Sequence, residues 1–238
     1  MTILYGILFL LVLCGLLVAF RKLIEARSFQ FLGDIVHRVD VTRKMVALTF
    51  DDGPNPPFTN RILEALKEYK ARATFFVLGF RLERHPSVAQ QTLAEGHELG
   101  NHSFSHKYLL LRLPSTIKRE IQRADELMEA LCLGRPRLFR PPFGKKLFLL
   151  PYFLKKMHKT TVMCDVDSGG KEFISRNAEE ICGILMSKIR PGSIIMLHDG
   201  GGDKDHIVRT VRLLLQRLTD EGYSVVTVSE LLKEGSIH

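Results

Sequence analysis

From Lys44 onward the chain alternates between short apolar runs and longer stretches with helical spacing, and this alternation constrains the fold more than any other feature. The apolar runs are "MVALTF", "ATFFVLG", "HELGNH", "RLFR", "TTVMCDVD", "SIIMLH" and "YSVVTV". Between them lie "TNRILEALKEY", "HPSVAQQTLAEG", "LPSTIKREIQRADELMEALC", "NAEEICGILMSKI" and "HIVRTVRLLLQRLTDEG". Strands that are apolar on both faces and separated by helices imply a parallel sheet covered on both sides. Seven such strands suit a (β/α) barrel one unit short of eight, with a doubly wound open sheet as the alternative. Either architecture gathers chemistry at the C-terminal ends of its strands.

Those strand ends carry polar residues. The first run ends in Asp51-Asp52, the third in His102 with His106 following, and the fourth at Arg140-Pro141-Pro142-Phe143. The fifth carries Asp165 and Asp167, and the sixth ends in His198-Asp199. Solvation of a surface rim does not by itself sort residues in this way.

His102 and His106 are four apart, so one helical turn would put their Cβ atoms about 6 Å from each other. The pair could then share a divalent metal, with an Asp from a neighbouring strand as third ligand and a position left open, as in catalytic zinc sites. Adjacent carboxylates in a partly dry site raise one another's pKa. A metal resolves that conflict: one Asp becomes a ligand and the other remains a carboxylate base. The bland readings are two histidines flanking a turn and two solvated acids capping a helix. It is the joint occurrence at strand ends that favours a site.

Ahead of this domain, Thr2 to Phe20 carries no charged side chain over 19 residues, about 28 Å as a helix and close to the thickness of a bilayer's hydrocarbon core. No basic segment precedes it and no Ala-x-Ala-like site follows, so an uncleaved anchor over residues 1–22 is expected, followed by a juxtamembrane linker over 23–43 and a catalytic domain over 44–234. Arg21, Lys22 and Arg27 follow the span, and charge bias alone would hold the domain in the cytoplasm, although long folded domains translocate largely regardless of charge.

The formal charge of +8 favours anionic partners without choosing among them. There is no basic stripe interleaved with aromatics and no zinc-finger or helix-turn-helix spacing, so no nucleic-acid partner is expected. Cys14, Cys132, Cys164 and Cys182 form no CxxC pair and imply no disulfide framework. His97 reads as a turn residue that could support the ligands. His37, His85, His158, His206 and His238 read as surface. "FGKKLFLLPYFLKKMHK" reads either as a membrane-resting segment or as a core helix with solvated lysines.

Taken in order, "TFDDGP", "HSFSH", "FRPPFG" and "LHD", with "RATFFVLG" and "EGHELGNHSFSH" between them, resemble the motifs of the NodB-homology polysaccharide deacetylases, carbohydrate esterase family four. The resemblance spans roughly Lys44 to Leu232. It implies a distorted (β/α)7-8 barrel and metal-dependent removal of acetyl groups from N-acetylated sugars. Position by position, it implies Asp51 as general base and Asp52, His102 and His106 as ligands of one divalent metal, zinc foremost, with cobalt, manganese or nickel open. Arg140 would hold Asp51, the Phe143 N–H would face the oxyanion, Leu197 would line the acetyl pocket, and His198 would protonate the leaving amine. His198 needs a carboxylate partner for that role, and Asp167 is the candidate.

The fourth motif departs from the family. Where Asp-x-x-Asp-Trp is usual, Glu172-Phe173 replaces the final pair with about two extra residues after Asp167-Ser168, and the chain contains no tryptophan. Three functions follow as expectations. The first is a single-pass membrane enzyme with an extracytoplasmic domain that deacetylates peptidoglycan or a chitin-like glycan. The second is a deacylase or deformylase of a lipid-linked amino sugar. The third is a carbohydrate-binding relative without turnover. Oligomeric state is not legible.

Overall fold

A computed structural model describes residues 2–131, 133–175 and 177–237; Cys132 and His238 lie outside the described residues. The first element, α1 (Thr2–Ile24), carries no charged side chain before Arg21 and Lys22 in its last turn and is exposed over nearly its whole length. Residues Leu4–Ile24 are long and apolar enough to cross a membrane.

Two short strands follow, β1 (Ile35–Val36) and β2 (Val39–Asp40), and then β3 (Met45–Asp51), buried throughout. Next come α2 (Phe58–Glu68), β4 (Thr74–Val77), α3 (Gly79–Arg84), α4 (Pro86–Ala94) and β5 (Glu98–Asn101). After α5 (Pro114–Ala130) and β6 (Leu138–Phe139), a 3-10 turn at Pro142–Gly144 leads to α6 (Leu149–Lys156). The chain continues through β7 (Thr160–Val162), β8 (Val166–Asp167), α7 (Lys171–Ile174) and α8 (Ala178–Met186). It ends with β9 (Ile194–His198), α9 (Asp205–Asp220), β10 (Ser224–Val226), α10 (Val228–Glu234) and β11 (Ser236–Ile237).

The main sheet is parallel, in the order β1-β7-β6-β5-β4-β3-β9-β8, with β10 beside the start of β3. It curls into a distorted barrel, as expected. "TTVMCDVD", anticipated as one strand, is two: β7 pairs with β6 at one side of the curl and β8 with β9 at the other. The seam of the curl lies between its edge strands β1 and β8, and the chain at 163–165, leaving β7 beside β1, crosses it to reach β8.

Helices cover the outside for a simple reason. In α9, Ile207, Val211, Leu214, Leu215 and Leu218 recur at helical spacing and are fully buried against α2 and α8. Asn177 caps α8 by accepting from Glu180 N–H at 3.0 Å, and Thr227 with Glu230 forms a capping box on α10.

The stretch 23–43, expected as a linker, is packed into the domain. Here β1 extends the sheet along β7, β2 pairs antiparallel with β11, and Val36 and Val39 are fully buried. The apolar-basic segment at 143–159 contains α6, whose Leu150 and Leu154 enter a core cluster while Phe148, Leu149 and Tyr152 stay exposed.

Candidate active site

The C-terminal ends of β3 and β9 are in register, Asp51 opposite His198. Successive strand residues face opposite ways, so Thr49 and Asp51 turn toward the barrel axis while Leu48 and Phe50 join the core beneath α2 and α9. Past Asp51 the backbone bends sharply: Asp52 adopts φ +71°, an unusual conformation for a non-glycine residue. The bend is locked against the end of β9. A Cβ on Gly53 would fall 2.2 Å from an Asp199 carboxylate oxygen, and one on Gly200 would fall 2.1 Å from Asp52 O.

Asp51 is buried and receives a 2.7 Å hydrogen bond from Arg140 Nη1. Arg140 is itself fixed by donating to Thr49 Oγ1 (2.8 Å), Val162 O (3.3 Å) and Met163 O (3.2 Å), with its guanidinium 4.1 Å from the centroid of the Phe76 ring. Burial raises the Asp51 carboxyl, but the positive charge of Arg140, aided by His102 and His198, outweighs it and holds the group below its ordinary value.

Asp52, His102 and His106 converge. Asp52 Oδ1 is 3.5 Å from His102 Nε2 and 3.3 Å from His106 Nε2. His102 Nδ1 lies 2.7 Å from Arg140 O, so its N–H points at that carbonyl and Nε2 is left as a lone-pair donor to the cluster. The "HSFSH" stretch is no helical turn. Ser103 and His106 both have positive φ, and the loop is held by Ser103 N–H to Asn101 Oδ1 (2.7 Å) and by Ser105 to both carboxylate oxygens of Glu120 (2.8 and 2.7 Å). Asp52 Oδ1 is buried and has no hydrogen-bond partner among the described residues. A buried, unsatisfied carboxylate oxygen facing two imidazole lone pairs suits a cation, and one O and two N donors suit a first-row divalent metal.

His198 stands across the cavity. Its Nδ1 is 3.0 Å from Glu172 Oε1, and its backbone N–H donates to Glu172 Oε2 at 3.2 Å. Burial lowers the imidazole, but the Glu172 hydrogen bond and charge, with Asp51 and Asp52 behind them, push it up to about 9. The expected partner, Asp167, is elsewhere: it pairs with Arg27, accepts from Gly169 N–H at 2.9 Å and lies beside Lys188. The two glycines at 169–170, both with positive φ, turn the chain back so that the short α7 delivers Glu172. Its neighbour Phe173 stands 4.9 Å from the His198 ring. The replacement of the motif's last pair by Glu172-Phe173 is the sequence signal that points to Glu172 rather than Asp167.

Leu197 also departs from expectation. It is fully buried in the helix-facing core, while its neighbours Met196 and His198 line the cavity. That cavity, about 500 Å³, is walled by the metal-binding candidates, Asp51, Arg140, Phe143, Met163, Cys164, Phe173 and, unanticipated, Glu25 and Arg27. Cys164 is a buried wall residue whose thiol burial pushes up to about 11. His206 differs from its surface reading, whereas His97 keeps its reading as a turn residue and does not support the ligands. His206 is buried, with Nε2 2.7 Å from Glu172 O. His97 lies at the opposite end of the strands, where its Nδ1 accepts from Ala73 N–H at 3.2 Å. Asp199, a further buried carboxyl pushed up to about 7 by burial, accepts from Thr59 Oγ1 at 2.5 Å behind the site.

A curled parallel barrel with this cluster at its C-terminal rim is the setting of a hydrolase that works on sugars, and the comparisons agree. The family model for polysaccharide deacetylase matches residues 38–162, and the chain belongs to that family, the carbohydrate esterase family four group its motifs resemble. A peptidoglycan-N-acetylglucosamine deacetylase of Bacillus cereus is 35% identical over 207 residues, covering 87% of this chain and 97% of the relative. The structure of the peptidoglycan deacetylase PdaC from Bacillus subtilis superposes with a TM-score of 0.74 at 37% identity, covering 82% of this chain and 93% of that one. A family-four pseudoenzyme from Bacillus anthracis is similar at TM-score 0.77 and 26% identity, covering 86% of this chain and 70% of the other.

Proposed function

We propose that this chain is a membrane-anchored N-deacetylase that hydrolyses N-acetyl groups on amino-sugar residues of a cell-wall glycan, with one divalent metal, zinc foremost, held by Asp52, His102 and His106. The observation that carries the reading is the meeting of three groups in one cavity: the Asp51–Arg140 pair, the convergent donor set with its orphaned Asp52 oxygen, and the His198–Glu172 pair. The names of the relatives support the substrate class.

Bound there, the metal would supply Lewis acidity toward the amide oxygen and the attacking water. Asp51, ionised beside Arg140, takes the proton from that water as the new C–O bond forms. The Phe143 N–H, on the turn over the cavity, offers a donor to the oxygen that gains charge. His198, kept protonated by Glu172, gives its proton to the sugar nitrogen as the C–N bond breaks, so acetate and a free amine leave. Phe173 and Phe143 flank the cavity where a sugar ring would lie.

Helix α1 serves as the single span, with the domain outside the cell. Arg21, Lys22 and Arg27 lie at the end of the span, but a long folded domain translocates largely regardless of such charges. A second reading, deacylation of a lipid-linked amino sugar, draws on Glu25 and Arg27 in the cavity wall, directly after α1.

The test is acetate release by the full chain from N-acetylglucosamine oligomers, peptidoglycan fragments and a lipid-linked N-acetyl amino sugar, after chelation and after return of zinc, cobalt, manganese or nickel. Chelation should abolish release and one of the ions restore it. Release that a chelator leaves intact would remove the metal from the proposal, and no release from any glycan would remove the activity.

A further inference from the structure

No free leash separates α1 from the cavity. Lys146 N–H donates to Ile24 O at 3.1 Å, Lys146 Nζ donates to Ala26 O, and Lys145 Nζ sits 3.3 Å from Glu25 Oε1. Glu25 follows the last helical residue and already lines the cavity. The end of the apolar helix is thus tied directly to the mouth of the site.

The exposed apolar surface has an uneven distribution. Beyond α1, every large apolar side chain that stays exposed among the described residues falls in 29–32, 108–113, 143–152 or 173–174. These segments adjoin. The Phe29 ring is 5.1 Å from Phe31, and Phe31 is 4.2 Å from Phe148. Phe148 shares a shallow apolar hollow of about 190 Å³ with Leu111. Tyr108 stacks at 4.8 Å on Phe143, which opens into the catalytic cavity. Leu111 is 78% exposed and Phe148 50%; soluble monomers rarely leave such a connected patch bare. Lysines border it, Lys145 5.1 Å from the Tyr108 ring and Lys156 4.8 Å from the Tyr152 ring. Aromatic and aliphatic tips with lysines at their edge match the composition of the bilayer's interfacial layer.

We infer that this face rests in the headgroup layer of the bilayer, so that the catalytic cavity opens at the membrane plane and takes amino sugars presented within reach of that surface. The inference rests on α1 being a membrane span. The bilayer is the occupant because the patch continues from the base of the span and its lysines complement anionic headgroups. A bound glycan would account for Phe143 and Phe173, but Leu111, Phe148 and Leu149 do not line the cavity.

The chain has no tryptophan, so a single introduced indole reports without background. Full chain carrying Phe148→Trp, reconstituted in vesicles of phosphatidylcholine and phosphatidylglycerol, should emit to the blue and be quenched by lipids brominated close to the headgroups. Tyr223→Trp, just before β10 at the opposite end of the strands, should not be quenched. A chain that does not float with the vesicles removes the span and this inference with it. A chain that floats while the Phe148→Trp indole is quenched no more than the Tyr223→Trp indole removes the inference alone. The inference also falls if the Phe148→Trp emission responds to soluble N-acetylglucosamine oligomers and not to lipid. The double variant Leu111→Asp with Phe148→Asp should deacetylate a vesicle-embedded, lipid-linked amino sugar about tenfold more slowly and turn over a soluble oligomer unchanged. Equal loss on both substrates counts against the seating.

Discussion

Glu172 Oε1 lies 3.0 Å from Nδ1 of His198, and the same carboxylate accepts the His198 backbone N–H through its other oxygen. One side chain therefore fixes both the tilt of the imidazole and its charge. With the imidazole pushed up to about 9, the protonated form that an acid requires predominates through neutral pH. In Glu172→Gln the amide keeps the shape and removes the charge, so the alkaline limb of kcat/KM should move down from about 9 toward about 6.5. Asp167→Asn should leave that limb where it is. Rate profiles from pH 5 to 10 compare the two.

Removing the base should separate chemistry from binding. Asp51→Asn is expected to lower kcat by about 10²- to 10⁴-fold while the Asp52, His102 and His106 donors still take up metal. Acetate release set against metal content by atomic absorption checks this. A variant that kept wild-type turnover would sink the assignment of Asp51 as the base.

Arg140 is caught between Asp51 and the carbonyls of Val162 and Met163. Arg140→Leu leaves a buried carboxylate without its counter-charge, a loss on the order of 3–5 kcal/mol. The group escapes by taking up a proton, so the acid limb of activity should shift upward as the denaturation midpoint falls. Arg140→Lys should recover part of the stability and less of the rate, since one ammonium cannot make four directed bonds.

The cluster at Asp52 should make stability respond to metal. Binding to the folded state alone adds about 2.7 kcal/mol when free metal is a hundredfold above Kd. Zinc should therefore raise the melting temperature of the wild-type chain, and His106→Ala should respond far less. Thermal melts across a zinc titration, with calcium as a control ion, read this without reference to activity.

His97 gives a pH dependence unrelated to catalysis. Burial pushes it down to about 4, so between that value and the ordinary His value near 6.5 the unfolded chain binds more protons than the folded one. Its contribution is fully present above about pH 6.5 and is lost as pH falls toward 4, by at most ~3 kcal/mol. His97→Phe forfeits the bond from Ala73 N–H but should flatten the fall in denaturant midpoint from pH 7 to 4.5.

Much of the site is legible from residues alone because strand ends in a parallel barrel share one rim. Asp51, Asp52, His102, Arg140 and His198 each stand at the end of an apolar run. The pocket role expected of Leu197 fails against a signal that is present in the sequence: if His198 faces inward, strand parity turns its predecessor outward. Glu172 is harder to read, because its position depends on how the 169–170 glycines turn the chain, and no local periodicity encodes that. Glu25 and Arg27 are hidden for another reason. Tertiary contacts with Lys145, Lys146, Cys164 and Asp167 bring the stretch after α1 onto the rim.

The seam at 163–165 has a consequence for how such a cavity can change over time. The chain there passes from β7, flanked by β1 and β6, to β8, which pairs with β9 at the far edge of the sheet. Met163 and Cys164, which line the cavity, sit on that bridge. Their replacement by bulkier or smaller side chains alters the girth of the chamber while the ladders on both flanks keep their register. Substrate range can therefore drift at this point without unmaking the scaffold that aims the acid and the base.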